Sequence, residues 1–241
     1  TAPFNRAGGD TRRVENLLTA ASNYDEVTIL LIAKEPISAR TIKEINQKGY
    51  DLRIFPISKI DIFFNIIGAV LRGESIQYNI YYSKKLHRFL ASWRFSESDR
   101  VVACLLRVVR SIPQELLLHT IVDFCDSSIL RYENPISFWS SPLKSIYERY
   151  EKKFQGFIEK ELAVNARTSV YITKRDARTS DVNAVIIPNS IEISAKSNPV
   201  KARRQIKALI IGNFNSASNK DGLQFFLKNF LLPVRQNTDL R

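Results

Sequence analysis

The stretch HTIVDFCDSSILRYEN, residues 119–134, decides how the rest of the chain is read. Ile121, Val122, Phe124 and Cys125 form a short apolar run that carries two acids, Asp123 and Asp126, and breaks at Ser127-Ser128. Such a run, ending in Asp and Ser, reads as a buried strand that hands over to a loop or a helix cap. In a parallel sheet the carboxyl end of a strand is where ligands bind. An acid there is a candidate general base, because the strand fixes it and an apolar wall raises its pKa. The other role open to Asp126 is to cap the turn that begins at Ser127.

Working outward, strand-like and helix-like segments alternate. Glu26 to Ala33 (EVTILLIA) reads as a buried strand, and Pro36 to Lys48 as a helix with proline near its first turn and Gly49 as its stop. Asp51 to Phe55 is a shorter strand closed by Pro56. Lys59 to Leu71 and Ile80 to Phe95 read as two helices. Val101 to Leu106 is a strand ending at Arg107, followed by a helix-like segment from Val108 to Leu117. Pro142 to Leu162 gives the clearest helical pattern. Leu143, Ile146, Tyr147, Tyr150, Phe154, Phe157, Ile158 and Leu162 fall in one stripe, with Glu and Lys assigned to the solvent face. Ser169 to Thr173 and Ala184 to Ile187 are two more strands, the second running into Pro188-Asn189-Ser190. This alternation predicts βαβ units, hence an α/β fold with a Rossmann-like parallel sheet and helices on both faces.

Composition narrows the class. With 241 residues, 44% hydrophobic and 25% charged, the chain has the length of one large domain or one and a half ordinary ones. No apolar run reaches the ~18 residues that a membrane span needs. Cys104 and Cys125, the two cysteines, both sit in strand-like runs and read as buried free thiols. His87 and His119 lie far apart, so no metal site is expected. No secretory leader is recognisable. The net charge of +12 calls for an anionic partner: nucleic acid, lipid headgroups or a phosphate-rich substrate. The charge is scattered and no zinc-finger, RRM or KH signature is present, so no specific nucleic-acid role is expected. In the predicted helix Ile80 to Phe95, Lys84, Lys85, Arg88 and Arg94 alternate with aromatic residues. Such a helix either lies on an anionic membrane or turns one side to the core.

Further candidates lie at turns. Ala7-Gly8-Gly9-Asp10-Thr11 leads into a helical pattern of Val14, Leu17, Leu18 and Ala21, with Asp10 or Thr11 as the expected N-cap. Glycines permit close backbone approach, and a helix start attracts phosphate. Arg12 and Arg13 either assist a phosphate or are solvated. Arg107, at a strand end, either meets a phosphate or carboxylate or makes a surface ion pair. Glu192 to Gln205 is polar, basic and contains Pro199, which marks a linker. The pattern then restarts with a strand at Ala208 to Ile211, a turn at Gly212-Asn213 and a Phe-rich helix from Asp221 to Phe230. The expected organisation is a domain over 1–191, a linker over 192–205 and the opening of a second, truncated Rossmann-like domain over 206–241. The absence of methionine and the opening on Thr1-Ala2-Pro3 suggest a piece of a longer polypeptide.

In this order the segments resemble the amino-terminal half of a GT-B glycosyltransferase of glycosyltransferase family four, as in bacterial exopolysaccharide sugar transferases. PFNRAGGDTRR (3–13) is similar to the family's glycine loop after the first strand. VDFCDSSILRY (122–132) resembles its segment of two acids, serine and a basic, aromatic tail. ITKRD (172–176) and IIPNSI (186–191) resemble the strands before the domain crossover, and IIGNFNSASNKDGL (210–223) resembles the start of the donor domain. The resemblance implies a retaining transferase that moves a sugar from a nucleotide-diphosphate sugar to a lipid-linked or glycan acceptor. It implies no resident cofactor and a cytoplasmic location, peripheral on the inner face of the membrane. Asp123 and Asp126 would lie on the acceptor side as catalytic acids, and Gly8, Gly9 and Asp10 against donor phosphate or acceptor. Asn189 and Ser190 would sit at the crossover, and Gly212 and Asn213 on the donor side. The donor domain's acidic pair falls outside residues 1–241, so this chain alone is expected to be inactive. The readings from another class are a non-catalytic GT-B-like binding or scaffold protein and, behind it, a basic nucleic-acid binder.

Overall fold

A computed structural model describes residues 9–23, 26–133, 142–180, 184–190, 210, 212, 214 and 217–232. The chain divides into two compact units, residues 1–133 with 147–191 and residues 134–146 with 192–241. The first unit is α/β and Rossmann-like, with parallel strands as the alternating pattern predicts, but they form two sheets where one is expected.

Helix α1 (Gly9–Ser22) comes first, followed by strand β1 (Thr28–Ala33), helix α2 (Ala39–Gln47) and strand β2 (Asp51–Pro56). β1 and β2 pair in parallel, Thr28 opposite Asp51 through Ala33 opposite Pro56. The crossover between them is set by local chemistry. The Ser38 side chain accepts from the Thr41 N–H at the start of α2. At its end Gly49 takes φ 81°, a left-handed value that favours glycine. The second sheet runs β3 (Val101–Cys104), β4 (Thr120–Cys125), β5 (Thr168–Tyr171) and β6 (Val185–Ile186), all parallel and in that order. The stretch that opened the reading is therefore an inner strand. Val122, Phe124 and Tyr171 anchor a core with Leu86, Leu90, Val109, Ile158 and Leu162, and Leu30 and Ile32 of β1 and Phe55 of β2 pack onto it.

Four further expectations are corrected. Of the segment 80–95 only helix α5 (Lys84–Ser92) is helical, and the one-turn helix α4 (Ile76–Asn79) precedes it. The break falls at Ser83, whose side chain accepts from Leu86 N–H and whose own N–H donates to Ser111 Oγ at 2.9 Å. The segment 108–117 is the short helix α6 (Leu106–Val109) followed by a 3-10 turn over Gln114–His119, because Pro113 cannot continue a helical ladder. In α1, Asp10 and Thr11 lie inside the helix and do not cap it.

The fourth correction concerns helix α8 (Pro142–Asn165), which is as long as expected but turned about its axis. Glu151, Gln155 and Glu159, four residues apart, are buried, while Leu143, Ile146 and Phe157 of the predicted apolar stripe are 80%, 65% and 71% exposed. The buried glutamates serve other helices. Glu151 accepts from Ser75 Oγ and Ile76 N–H, both at 2.7 Å, at the start of α4. Glu159 accepts from Ser128 N–H at 2.8 Å, at the start of helix α7 (Ser128–Glu133). Helix α3 (Lys59–Arg72) and the one-turn helix α9 (Lys174–Ala177) complete the first unit. In the second unit, helix α10 (Ala217–Phe226) runs into a π-helical turn over Leu227–Leu231, where Phe226 stacks on Phe230. The strand expected at 208–211 lies outside the described residues except for Ile210. Among the described residues no helix is long and apolar enough to cross a membrane.

Candidate functional site

The register of the four-stranded sheet brings its carboxyl ends to one edge. Cys104 pairs with Asp123, Cys125 with Tyr171 and Tyr171 with Ile186. Two non-glycine residues among those described have positive φ, and both lie here: Leu105 at 74°, just after β3, and Cys125 at 62°, the last residue of β4. A bulky residue with positive φ is a genuine outlier, and such strain concentrates where a fold positions functional groups. The cause is visible. The β4–β5 register shifts between Asp123 and Cys125. Leu105 N–H donates to the Asp123 carbonyl at 2.9 Å, and Cys125 N–H donates to Asp123 Oδ1 at 3.2 Å.

Asp123 is 1% exposed and held by Arg13 of α1. Arg13 Nε donates to Oδ2 at 2.6 Å and Nη2 to Oδ1 at 2.8 Å, a two-pronged, charge-assisted contact. The third guanidinium nitrogen, Nη1, donates to the Ile187 carbonyl at 2.8 Å and to Asn189 Oδ1 at 3.3 Å. One turn further along, Asn16 Nδ2 donates to Ser190 O at 3.2 Å and to Ser190 Oγ at 3.1 Å. The hydrogen bond to Asp123 raises the Arg13 pKa against the opposing effect of burial. The pair thus straps α1 to β4 and to the segment that follows β6. Both carboxylate oxygens of Asp123 are thus engaged by the guanidinium.

Beyond Cys125 the next polar groups are also committed. Ser127 N–H donates to Asp176 Oδ1 at 3.0 Å, and Ser127 Oγ shares a hydrogen bond of 2.8 Å with Thr179 Oγ1. Ser128 donates to Glu159 through both its N–H and its hydroxyl. Tyr171 OH donates to the same carboxylate at 3.2 Å, and burial followed by Glu159 pushes the Tyr171 pKa up. The protein's own carboxylates therefore accept the N–H groups at the start of α7. The capping role open to Asp126 falls to Ser127, whose Oγ lies 3.5 Å from Leu130 N–H. Asp126 is left exposed between two satisfied networks.

The other candidates divide. Gly9 and Asp10 begin α1, one turn before Arg13. Asn189 and Ser190 join the same edge through Arg13 and Asn16. Arg107 is half-buried on α6, close enough to Glu151 to favour its carboxylate. Gly212 is exposed in the second unit. Gly8 and Asn213 lie outside the described residues. Cys104 and Cys125 form no disulfide, and burial followed by Asp123 pushes the Cys104 thiol up to about 11, which keeps it protonated at neutral pH. Among the described residues no group of three or more His, Cys, Asp or Glu is placed to hold a metal. A depression on α2 lined by Ala39, Ile42, Lys43, Asn46 and Gln47 contains none of the edge residues.

Local sequence patterns miss the partners of Glu159 and Asp176, and that of Arg13, expected to assist a phosphate or stay solvated and instead buried against Asp123. These partners lie 31, 49 and 110 residues away, beyond any helical or strand period. No protein-family model, curated protein or solved structure matches the chain.

Proposed function

We propose that this chain is the acceptor-side part of a GT-B-type sugar transferase, with Asp126 as the acid that meets the acceptor. The observation that carries the reading is the exposed Asp126 next to the strained Cys125, at the carboxyl edge of a parallel sheet, where every neighbouring acid and serine is already engaged. Ligands of open α/β sheets bind at that edge. In this role Asp126 accepts a hydrogen bond from the acceptor hydroxyl and orients that oxygen toward the anomeric carbon of the donor sugar. Arg13 and Asp123 position the edge, and Asn189 and Ser190 border it. The net charge of +12 suits a phosphate-bearing donor and a lipid-linked or glycan acceptor.

The test is an amide-resolved nuclear magnetic resonance titration with free oligosaccharides and polyprenyl-phosphate-linked sugars. Shifts confined to residues 105–107, 125–128 and 187–190 are expected, with binding weakened about tenfold in Asp126→Asn, as for loss of a hydrogen bond to a charged group. If no amide on this edge moves with any of these ligands, the reading fails.

A further inference from the structure

Helix α3 displays an apolar face that no described residue of the first unit covers. Ile60, Phe63, Phe64, Ile67, Val70 and Leu71 are 68%, 58%, 64%, 38%, 49% and 81% exposed. At 100° per residue they fill an arc of about 120° on one side of the helix. The opposite side is the one that packs: Ala69 is fully buried, Tyr150 OH donates to the Ala69 carbonyl at 3.4 Å, and Asn65 Nδ2 donates to Tyr82 O at 3.0 Å. The exposed face is therefore not a core stripe turned by misfolded packing. It is a second apolar face on a helix whose first is satisfied. Phe63 and Phe64 meet edge to face at 5.8 Å on it.

The charge around this face is net positive. Residues 57–94 contain six Lys or Arg against two acids. Both acids are engaged. Asp61 closes the capping box with Ser58, whose hydroxyl and N–H lower its pKa, with Lys85 adding to the effect. Glu74 pairs with Arg72 at 3.1 Å. Lys59 is exposed at the start of α3. Lys84, Lys85 and Arg88 are exposed on α5, whose start is tied to α3 through Asn65 and Tyr82. The aromatic side of α5 is not available for the same purpose. Leu86 and Leu90 are buried, and Phe89 packs against Phe55 at 5.5 Å and against Trp93 at 5.1 Å.

We infer that α3 is an interfacial helix that docks this unit on an anionic lipid surface. Its Phe, Ile and Leu side chains enter the headgroup–acyl boundary while Lys59, Lys84, Lys85 and Arg88 meet the lipid phosphates. A wide apolar arc rimmed by cations fits a negatively charged bilayer better than a neutral protein groove. A helix of 14 residues lies on a membrane and does not span one. The inference does not need the sugar-transfer reading, because lipid binding is read without any sugar present.

The experiment is flotation of the whole chain with phosphatidylcholine vesicles and with vesicles containing about 30% phosphatidylglycerol, beside the variants F63S/F64S and K84Q/K85Q. Binding to the anionic vesicles only is expected. The phenylalanine pair should weaken it by at least about tenfold and the lysine pair should weaken it and flatten its salt dependence. Both pairs are exposed, so unchanged thermal unfolding serves as the folding control. The inference is overturned by failure to bind anionic vesicles, or by binding that F63S/F64S leaves unaltered. Sedimentation velocity supplies the remaining outcome. A wild-type dimer that F63S/F64S converts to monomer, without vesicle binding, assigns the face to a second copy of the chain and also overturns it.

Discussion

Asp123 and Asp126 stand three positions apart in sequence and have opposite fates. Strand β4 is buried on both faces, so Asp123 lies inside, where Arg13 meets it, while Asp126 follows the register shift and the end of the strand and is exposed. Removing the guanidinium leaves a buried charge without its partner. Arg13→Ala is expected to cost about 3–5 kcal/mol, measured by urea unfolding, and the paired replacement R13M/D123L should recover most of that loss. Glu151 makes a prediction of a different kind. Burial pushes its carboxyl above the ordinary 4.5, opposed by the Ser75 hydroxyl and the Ile76 N–H. The native chain then holds this proton to higher pH than the unfolded chain does. The contribution to stability is complete below pH 4.5 and is lost as pH rises through the elevated value. The unfolding free energy of Glu151→Gln minus that of the wild type should therefore grow with pH above 4.5. A difference that is flat or falls with pH would show that the carboxylate is well solvated.

Elements bounded by local chemistry were the legible ones. Gly49 stops α2 and Pro56 closes β2 as expected, and the Ser38 cap, which starts α2 at Ala39 and not at Pro36, is an equally local device that the sequence reading did not single out. The capping box of α3 is of this kind. Ser58→Ala removes its acceptor for the Asp61 N–H and is expected to cost about 1 kcal/mol in thermal or urea unfolding. A cost near zero would mean that solvent satisfies that helix end equally well. Helix α8 was legible in length but not in orientation. Its buried seam of Glu151, Gln155 and Glu159 has the same spacing of four as a solvated salt-bridge face, and donors elsewhere in the sequence, Ser75, Ile76, Ser128 and Tyr171 among them, make the interior acceptable to carboxylates. The continuous aromatic and basic run from 80 to 95 hid a break at Ser83 because its anchor, Ser111, is 28 residues away.

At the scale of the molecule, the α/β class and the parallel order of strands followed from alternation, since a parallel pair requires a crossover. Which of the two acids faces solvent did not, because that depends on a one-residue register shift. The same limit applies to α3, whose sequence marks a helix but not which of its sides the fold covers. The central claim is that Asp123 builds the edge and Asp126 works on it. Its most direct test sets Asp123→Asn beside Asp126→Asn, each measured for thermal unfolding and for binding of the sugar acceptor that the titration identifies. The account predicts that Asp123→Asn loses stability markedly. Asp126→Asn should keep its stability within about 0.5 kcal/mol and lose acceptor affinity. A destabilised Asp126→Asn, or one that binds as the wild type does, would contradict it.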